Sequence, residues 1–299
     1  RNHLSANPNL RRTNRIRTIY GSLAIEQNTL SLEQVTAVLN GKHVLAPPKD
    51  IAEVKNAYEI YEHMDELDPY SVDDLLTAHG IMTRGLVDES GMFRTRPVGV
   101  VNQDGQVVHL GTLPQYVPDS VTELLDWTKY SDLHMLIKSC VFHYEFVFIH
   151  PFSDGNGRMA RLWHTAILSD WKPVFEYIPI ESQIEKFQDE YYDAISRCHV
   201  AGESTIFIEF MLAQIDKILD DISVQISEKN EYLPEAVQKL LEAMEYDVPY
   251  TSKSLMEKLG LSSKEGFRRN YLHPSLKMNL IQMTIPDKPN SRNQRYVKS

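Results

Sequence analysis

Apolar and polar positions repeat with a helical period over most of the chain. In residues 31–42, SLEQVTAVLNGK, apolar side chains recur every three to four positions. Ser31 and Gln34 have the spacing of a capping box, and Gly41 supplies a stop. Helical spacing returns from Ile51 to Met64, and Ser71 opens SVDDLLTAHGIMTRGL with acids in its first turn. The period then shortens. VGVVNQDGQVVHLG has two β-branched runs about Asp104-Gly105, which predicts a hairpin. Helices are expected near 118–130, 132–148, 156–170, 181–201 and 204–226, so the fold class is mainly α with one hairpin before residue 270.

The C-terminal part reads as a second unit. Pro234–Tyr246 is one helix, TSKSLMEKLG a second stopped by Gly260, and KEGFRRNYLHP a third capped by Ser262-Ser263. An alternating stretch about Pro286–Ser291 follows, and three helices plus this wing match a winged helix-turn-helix pattern. Charge supports the division. The 299 residues carry a formal net charge of −10, yet from Leu233 onward 11 Lys+Arg outnumber 7 Asp+Glu. Lys264, Arg268 and Arg269 on the third helix and Lys288, Arg292 and Arg295 on the wing suit DNA phosphates. The excess is modest, and such modules also dock proteins, so DNA is allowed as a partner rather than favoured.

The length is ample for a packed core. No apolar run approaches the roughly 20 residues that a membrane-spanning helix needs. Two cysteines, Cys140 and Cys198, without Cys-x-x-Cys spacing exclude a disulfide scaffold and predict buried free thiols in a cytoplasmic protein.

The chemistry concentrates in residues 150–161, His-Pro-Phe-Ser-Asp-Gly-Asn-Gly-Arg-Met-Ala-Arg. The preceding run CVFHYEFVFI is a buried helix that Pro151 ends, which puts His150 at its terminus. Asp154, Gly155, Asn156 and Gly157 form a tight turn, where missing Cβ atoms let backbone N–H groups converge on an anion. A helix starts there and adds its positive end. Arg158 and Arg161 lie three apart on one face of its first turns. The product is a phosphate cradle with Asp154 as a ligand for a Mg²⁺ shared with phosphates. His150 is the nearby base that titrates near neutral pH.

This segment resembles the signature of the Fic (Fic/Doc) family, His-Pro-Phe-x-Asp/Glu-Gly-Asn-Gly-Arg-x-x-Arg, at every specified position. HGIMTRGLVDESGMFR, residues 79–94, is similar to the family's lead-in to a hairpin called the flap. Tyr191 and Tyr192 resemble paired tyrosines that line a nucleotide base. The resemblance implies a helical Fic core that moves AMP from ATP, with Mg²⁺, onto a Ser, Thr or Tyr hydroxyl of a target protein. It makes His150 the base and gives Asp154, Gly155, Asn156, Gly157, Arg158 and Arg161 to the nucleotide. Gly157 favours AMP transfer over the kinase chemistry of the related Doc toxins. The flap edge Val108, His109, Leu110 and Gly111 would hold an extended target segment through main-chain bonds.

Ser22-Leu-Ala-Ile-Glu26-Gln27-Asn28 resembles the family's inhibitory motif, Ser/Thr-x-x-x-Glu-Gly/Asn, with Gln27 where the family has Gly or Asn. By that resemblance Ser22 and Glu26 belong to a restraining helix, and Glu26 forms a bidentate pair with Arg161. The expected organisation is an arm and inhibitory helix at 1–50, a catalytic core at 51–226 and a winged-helix domain at 233–299. Removal of AMP is a secondary activity, and a homodimer is a further assembly that the family allows. The alternative reading is a nucleotide-sensing DNA-binding regulator acting through the winged helix.

Overall fold

Local sequence signals set most element boundaries in the computed structural model, which describes residues 8–101, 107–231, 234–245, 248–278, 280–289 and 291–298. Helix α1 spans Pro8–Ile25 and α2 spans Leu32–Leu39. The Ser31–Gln34 capping box forms with both reciprocal bonds. Helix α3 covers Pro48–Glu62, and α4, Val72–Met82, is capped by the Ser71 hydroxyl on Asp74 N–H. Strands β1, Gly99–Val101, and β2, Val107–Leu110, pair antiparallel in the expected hairpin, with a bulge between Val100 and Val101. Its Asp104-Gly105 turn lies outside the described residues, and only the backbone of Val108 and His109 is described. Helices α5, Val117–Tyr130, α6, Met135–Ile149, and α7, Asn156–Trp171, follow near their expected positions.

The run 181–201 is a correction. It forms two helices, α8, Ile180–Lys186, and α9, Gln188–Ala201, broken at Phe187 with φ −120° and ψ 41°. No Gly or Pro marks the break; its causes are tertiary. Lys217 Nζ sits 4.2 Å from the Phe187 ring centroid, and past the break Gln188 Nε2 donates to the Ile25 carbonyl at 3.0 Å. Helix α10 runs over Thr205–Glu231, five residues beyond its expected end.

Two compact units result, and the larger covers Arg12–Leu219. Its core centres on α6 packed along α7, with Phe142, Phe146, Trp163 and Ile167 buried between them and α3 and α4. Helix α7 is buried over almost all of Asn156–Leu168. Helix α1 joins this core through Ile16, Ile19, Leu23 and Ile25. A Cβ at Gly21 would lie 2.7 Å from Ser182 backbone atoms, so α1 and α8 touch there backbone to backbone. Cys140 and Cys198 are buried and free, as expected.

The smaller unit, which takes in the chain up to Arg11 and from Asp220 onward, holds α11, Glu235–Glu242, and α12, Ser252–Lys258. It also holds α13, Lys264–Phe267, and α14, His273–Lys277, joined through a π-helical turn at Arg268–Leu272. Strands β3, Ile281–Met283, and β4, Tyr296–Lys298, form an antiparallel hairpin that Tyr250 extends by bridging Tyr296. Leu240, Leu255, Phe267, Leu272, Ile281 and Tyr296 make a core of its own. Helix α11 ends short of the expected Tyr246, which is outside the described residues. The expected third helix is interrupted, because Pro274 has no N–H to donate and its ring crowds the preceding turn. His273 N–H bonds the Arg268 carbonyl instead.

Among the described residues no helix is long and apolar enough to cross a membrane.

Candidate active site

The C-terminal end of α6 delivers His150 in a left-handed conformation, φ 53° and ψ 61°. Its backbone N–H still bonds the Phe146 carbonyl, while Pro151 prevents another helical turn. The Nδ1 atom lies 3.2 Å from the Val147 carbonyl. A carbonyl partner demands a proton on Nδ1, which makes Nε2 the basic nitrogen.

Arg94, which the sequence reading left without a role, fixes this histidine to the flap. Its Nε donates to the His150 carbonyl at 2.6 Å, and its Nη2 donates to the carbonyl of Thr112, just past β2. Thr112 N–H returns a bond to the Ile149 carbonyl, 3.1 Å. A Cβ at Gly111 would meet His150 Cβ at 3.1 Å and Arg94 Nη2 at 2.9 Å. The end of β2 therefore lies flat against the histidine.

The following loop is closed locally. Phe152 N–H donates to Asn156 Oδ1 at 2.8 Å, and Asn156 Nδ2 returns a bond to the Phe152 carbonyl at 2.9 Å. Gly155 takes φ +82°, a conformation that glycine adopts without strain. Its N–H bonds Asp154 Oδ1. Phe152 is buried, stacked on His79 with ring centroids 3.6 Å apart. His79 also braces the loop through bonds: Gly91 N–H donates to its Nδ1 at 3.0 Å, so Nε2 carries the proton and donates to the Asp154 carbonyl at 3.1 Å. Burial pushes the His79 pKa down to about 4, which keeps the ring neutral in this bridging tautomer.

The two arginines at the start of α7 are both buried, and each meets a carboxylate. Arg158 Nη1 lies 3.2 Å from Glu53 Oε1, and its Nη2 lies 3.3 Å from Asp154 Oδ1. Arg161 Nη2 donates to Glu26 Oε1 at 2.8 Å and to the Ser22 carbonyl at 2.9 Å, while its Nε donates to Ser22 Oγ at 3.2 Å. The expected bidentate pair is thus replaced by a shared arrangement, in which Ser22 uses part of the guanidinium fork. Burial works against the Arg161 charge, but Glu26 together with Tyr191 and Tyr192 outweighs it and the pKa is raised. Behind Arg161, burial keeps His143 and His164 neutral and pushes the Glu181 carboxyl up to about 7.

Glu26 reaches this position because α1 ends in a Schellman motif. Asn28 N–H bonds the Leu23 carbonyl at 3.1 Å and Gln27 N–H bonds the Ala24 carbonyl at 3.0 Å. Gln27 occupies the left-handed position, φ 65°, which glycine or asparagine takes most easily. The Glu26 carboxylate lies at the N-terminal end of α7. A Cβ on Gly157 would sit 2.2 Å from Glu26 Oε1, so the absence of a side chain makes the room. Asn28 Nδ2 donates to Glu53 Oε2 at 2.8 Å, and Glu53 therefore joins this segment to Arg158.

Not every candidate converges. Tyr191 is buried, with its hydroxyl 3.0 Å from His143 Nε2, whereas Tyr192 remains part-exposed beside the Ile25 carbonyl. Asp154 is half exposed, and among the described residues no group of three His, Cys, Asp or Glu could hold a metal alone. One carboxylate suits Mg²⁺ only where phosphate oxygens and water complete its shell. Sequence reasoning missed Glu53, and gave His79 no role beyond the start of the lead-in. The buried glutamate within α3 was the available signal, since an unpaired charge there would be costly.

Comparison with known proteins gives the family. The model of the Fic/DOC family matches residues 69–168, and that of the "Filamentation induced by cAMP protein Fic-like, C-terminal domain" matches residues 235–297. The crystal structure of a Fic family protein from Desulfovibrio desulfuricans G20 is 44% identical, with TM-score 0.72, covering 99% of this chain and 89% of that one. The chain belongs to the Fic family. Among curated relatives, the protein adenylyltransferase fic-1 of Caenorhabditis elegans is 31% identical over 230 residues, 70% of this chain and 42% of the relative. The protein adenylyltransferase Fic of Nematostella vectensis is 28% identical over 218 residues, 68% of this chain and 47% of the relative. The chain spans less than half the length of these two relatives.

Proposed function

We propose that this chain transfers AMP from ATP to a serine, threonine or tyrosine hydroxyl of a target protein, and that residues 22–28 restrain it. The seat of Glu26 carries the reading. A carboxylate oxygen 2.8 Å from Arg161 Nη2, at the N-terminal end of α7, occupies a place built for an anion.

In the reaction His150 accepts the target hydroxyl's proton at Nε2 while the hydroxyl oxygen attacks the α-phosphorus. A new O–P bond forms, the bond to the bridging oxygen breaks, and pyrophosphate leaves with that electron pair. The N–H groups at the start of α7 and the Arg158 guanidinium stabilise charge on the transferring group. Asp154 would hold Mg²⁺, which when bound neutralises charge between the phosphates. The far end of the triphosphate goes to Arg161, so Glu26 and the γ-phosphate compete for one guanidinium. An extended target segment adds to the edge of β2, whose end is fixed to His150 through Gly111 and Thr112. Tyr192 supplies stacking surface for the base, with Tyr191 packed behind it. Removal of AMP is a secondary activity, with Glu26 orienting the attacking water.

The test compares wild type, Glu26→Gly and Glu26→Gly/His150→Ala, incubated with Mg²⁺ and ATP labelled on the α-phosphate. Strong protein labelling by Glu26→Gly alone supports the reading. Transfer of γ-label instead makes the protein a kinase, and no labelling by any folded variant sinks AMP transfer.

A further inference from the structure

We propose that the outward face of residues 264–277, together with the β3–β4 wing, is a binding surface for duplex DNA. The surface lies wholly in the smaller unit, and AMP transfer does not account for it.

The backbone there is a helix-turn-helix. Helix α12 ends in a Schellman motif, with Leu261 N–H on the Met256 carbonyl at 2.8 Å and Gly260 at φ +66°. Ser263 then caps the next helix, its Oγ accepting from Gly266 N–H at 3.1 Å. A short turn with a left-handed glycine is what sets a recognition helix at an angle across its partner.

Burial separates the faces of that helix. Phe267, Leu272 and Ser275 are inside. Lys264, Arg268, Arg269, Asn270, His273 and Lys277 are exposed. In a regular helix the buried stripe returns every three or four residues. Here it returns after five, from Phe267 to Leu272, because the π turn forced by Pro274 adds one residue. Arg268, Arg269 and Asn270 therefore face outward together. A run of arginine, arginine and asparagine on one exposed turn has the chemistry for base edges in a major groove, arginine for guanine and asparagine for adenine.

The wing extends the charge. Lys288 and Arg292 are exposed in the connection between β3 and β4, and Arg295 is part-exposed. Such a hairpin beside a recognition helix reaches the phosphates that flank the groove. Glu265 and Asp287 interrupt the positive surface without reversing it, since this part of the chain keeps an excess of Lys and Arg while the whole carries −10. An acidic protein surface would match the charge but would have no use for an outward asparagine next to two arginines.

The experiment uses the full chain and a fluorescein-labelled random-sequence 30-bp duplex, read by fluorescence anisotropy. We expect micromolar binding at 50 mM NaCl that weakens roughly hundred-fold at 200 mM, as release of counterions from several phosphates requires. Arg268→Ala/Arg269→Ala should weaken binding at least ten-fold at 50 mM, with an unchanged circular dichroism spectrum. Lys288→Ala/Arg292→Ala should instead make the log–log salt slope shallower by about two. Selection from randomised duplexes should enrich a motif whose preference Asn270→Ala relaxes at one position. No binding at 50 mM, or binding undiminished in both double variants, overturns the proposal. So does competition by poly-L-glutamate as effective per charge as by duplex, because the surface would then take any polyanion, acidic proteins included.

Discussion

The loop over residues 150–157 and the segment over residues 22–28 meet at the start of α7, but they are held there in different ways. The loop is closed by its own neighbours: Asn156 on the Phe152 backbone, Asp154 on Gly155, and Pro151 after the left-handed His150. His79 and Arg94 then brace it from outside. The segment hangs from a helix whose body is deep in the core while its tip makes a few polar contacts. Burying Ile16, Ile19, Leu23 and Ile25 contributes on the order of 6–12 kcal/mol. The charge-assisted Glu26–Arg161 contact is worth about 1.5–3 kcal/mol. Undocking α1 would thus cost several times more than displacing the Glu26 side chain. The proposed restraint should therefore be relieved in the last turn, at residues 26–28, with α1 still in place.

The largest expected effect tests the loop. In a Glu26→Gly background, His150→Ala should lower the rate of AMP transfer by about 10²–10⁴-fold with the melting temperature unchanged. A residual rate within a few-fold of the parent would move the base elsewhere. Next comes the residue that both regions share. Glu53→Ala leaves Arg158 buried without that partner and should destabilise the chain by about 3–5 kcal/mol in urea unfolding. A change below 1 kcal/mol would mean that Asp154 alone satisfies Arg158.

The segment is tested by Glu26→Gly, which should raise self-labelling about 10–100-fold, the equivalent of the contact it removes. Amide hydrogen exchange in α1 should stay protected in that variant. Exchange of the whole helix would break the contrast drawn above. A smaller effect depends on pH. Glu181 has a folded pKa of about 7, raised by burial above its usual 4.5, so the folded state binds the proton more tightly. Its contribution is complete below the unfolded value and is lost as pH rises through 7. Between pH 6.5 and 8 wild type should lose about 1 kcal/mol of stability relative to Glu181→Gln. The lowered pKa values of His143 and His164 act in the opposite sense as the unfolded imidazoles lose their protons near 6.5, and the comparison with Glu181→Gln cancels them. The smallest effect is at Gln27, where φ is 65°. Gln27→Gly should stabilise the chain by about 0.5–1 kcal/mol and lower the labelling of the otherwise wild-type chain. A destabilised Gln27→Gly would show that the glutamine side chain makes up for its backbone strain.

The contrast also explains what could be read in advance. The loop was legible because its parts are consecutive: histidine, helix-ending proline, two glycines and two arginines three apart. The Ser31–Gln34 box, the Ser71 cap and the Gly260 stop were legible for the same reason, as each is completed within four residues. The break at Phe187 and the inward turn of Tyr191 were not, because Lys217 and His143 come from other helices.

By itself, then, the sequence determined the helical class, the hairpin, the basic C-terminal module and the local closure of the loop over residues 150–157. These follow from periodicity, capping and turn preferences, which act over a few residues. Tertiary structure alone decided which carboxylate meets which arginine. Glu53 lies 105 residues from Arg158 and Glu26 lies 135 from Arg161. A buried guanidinium must find an anion, but only the packed core selects which one is within reach.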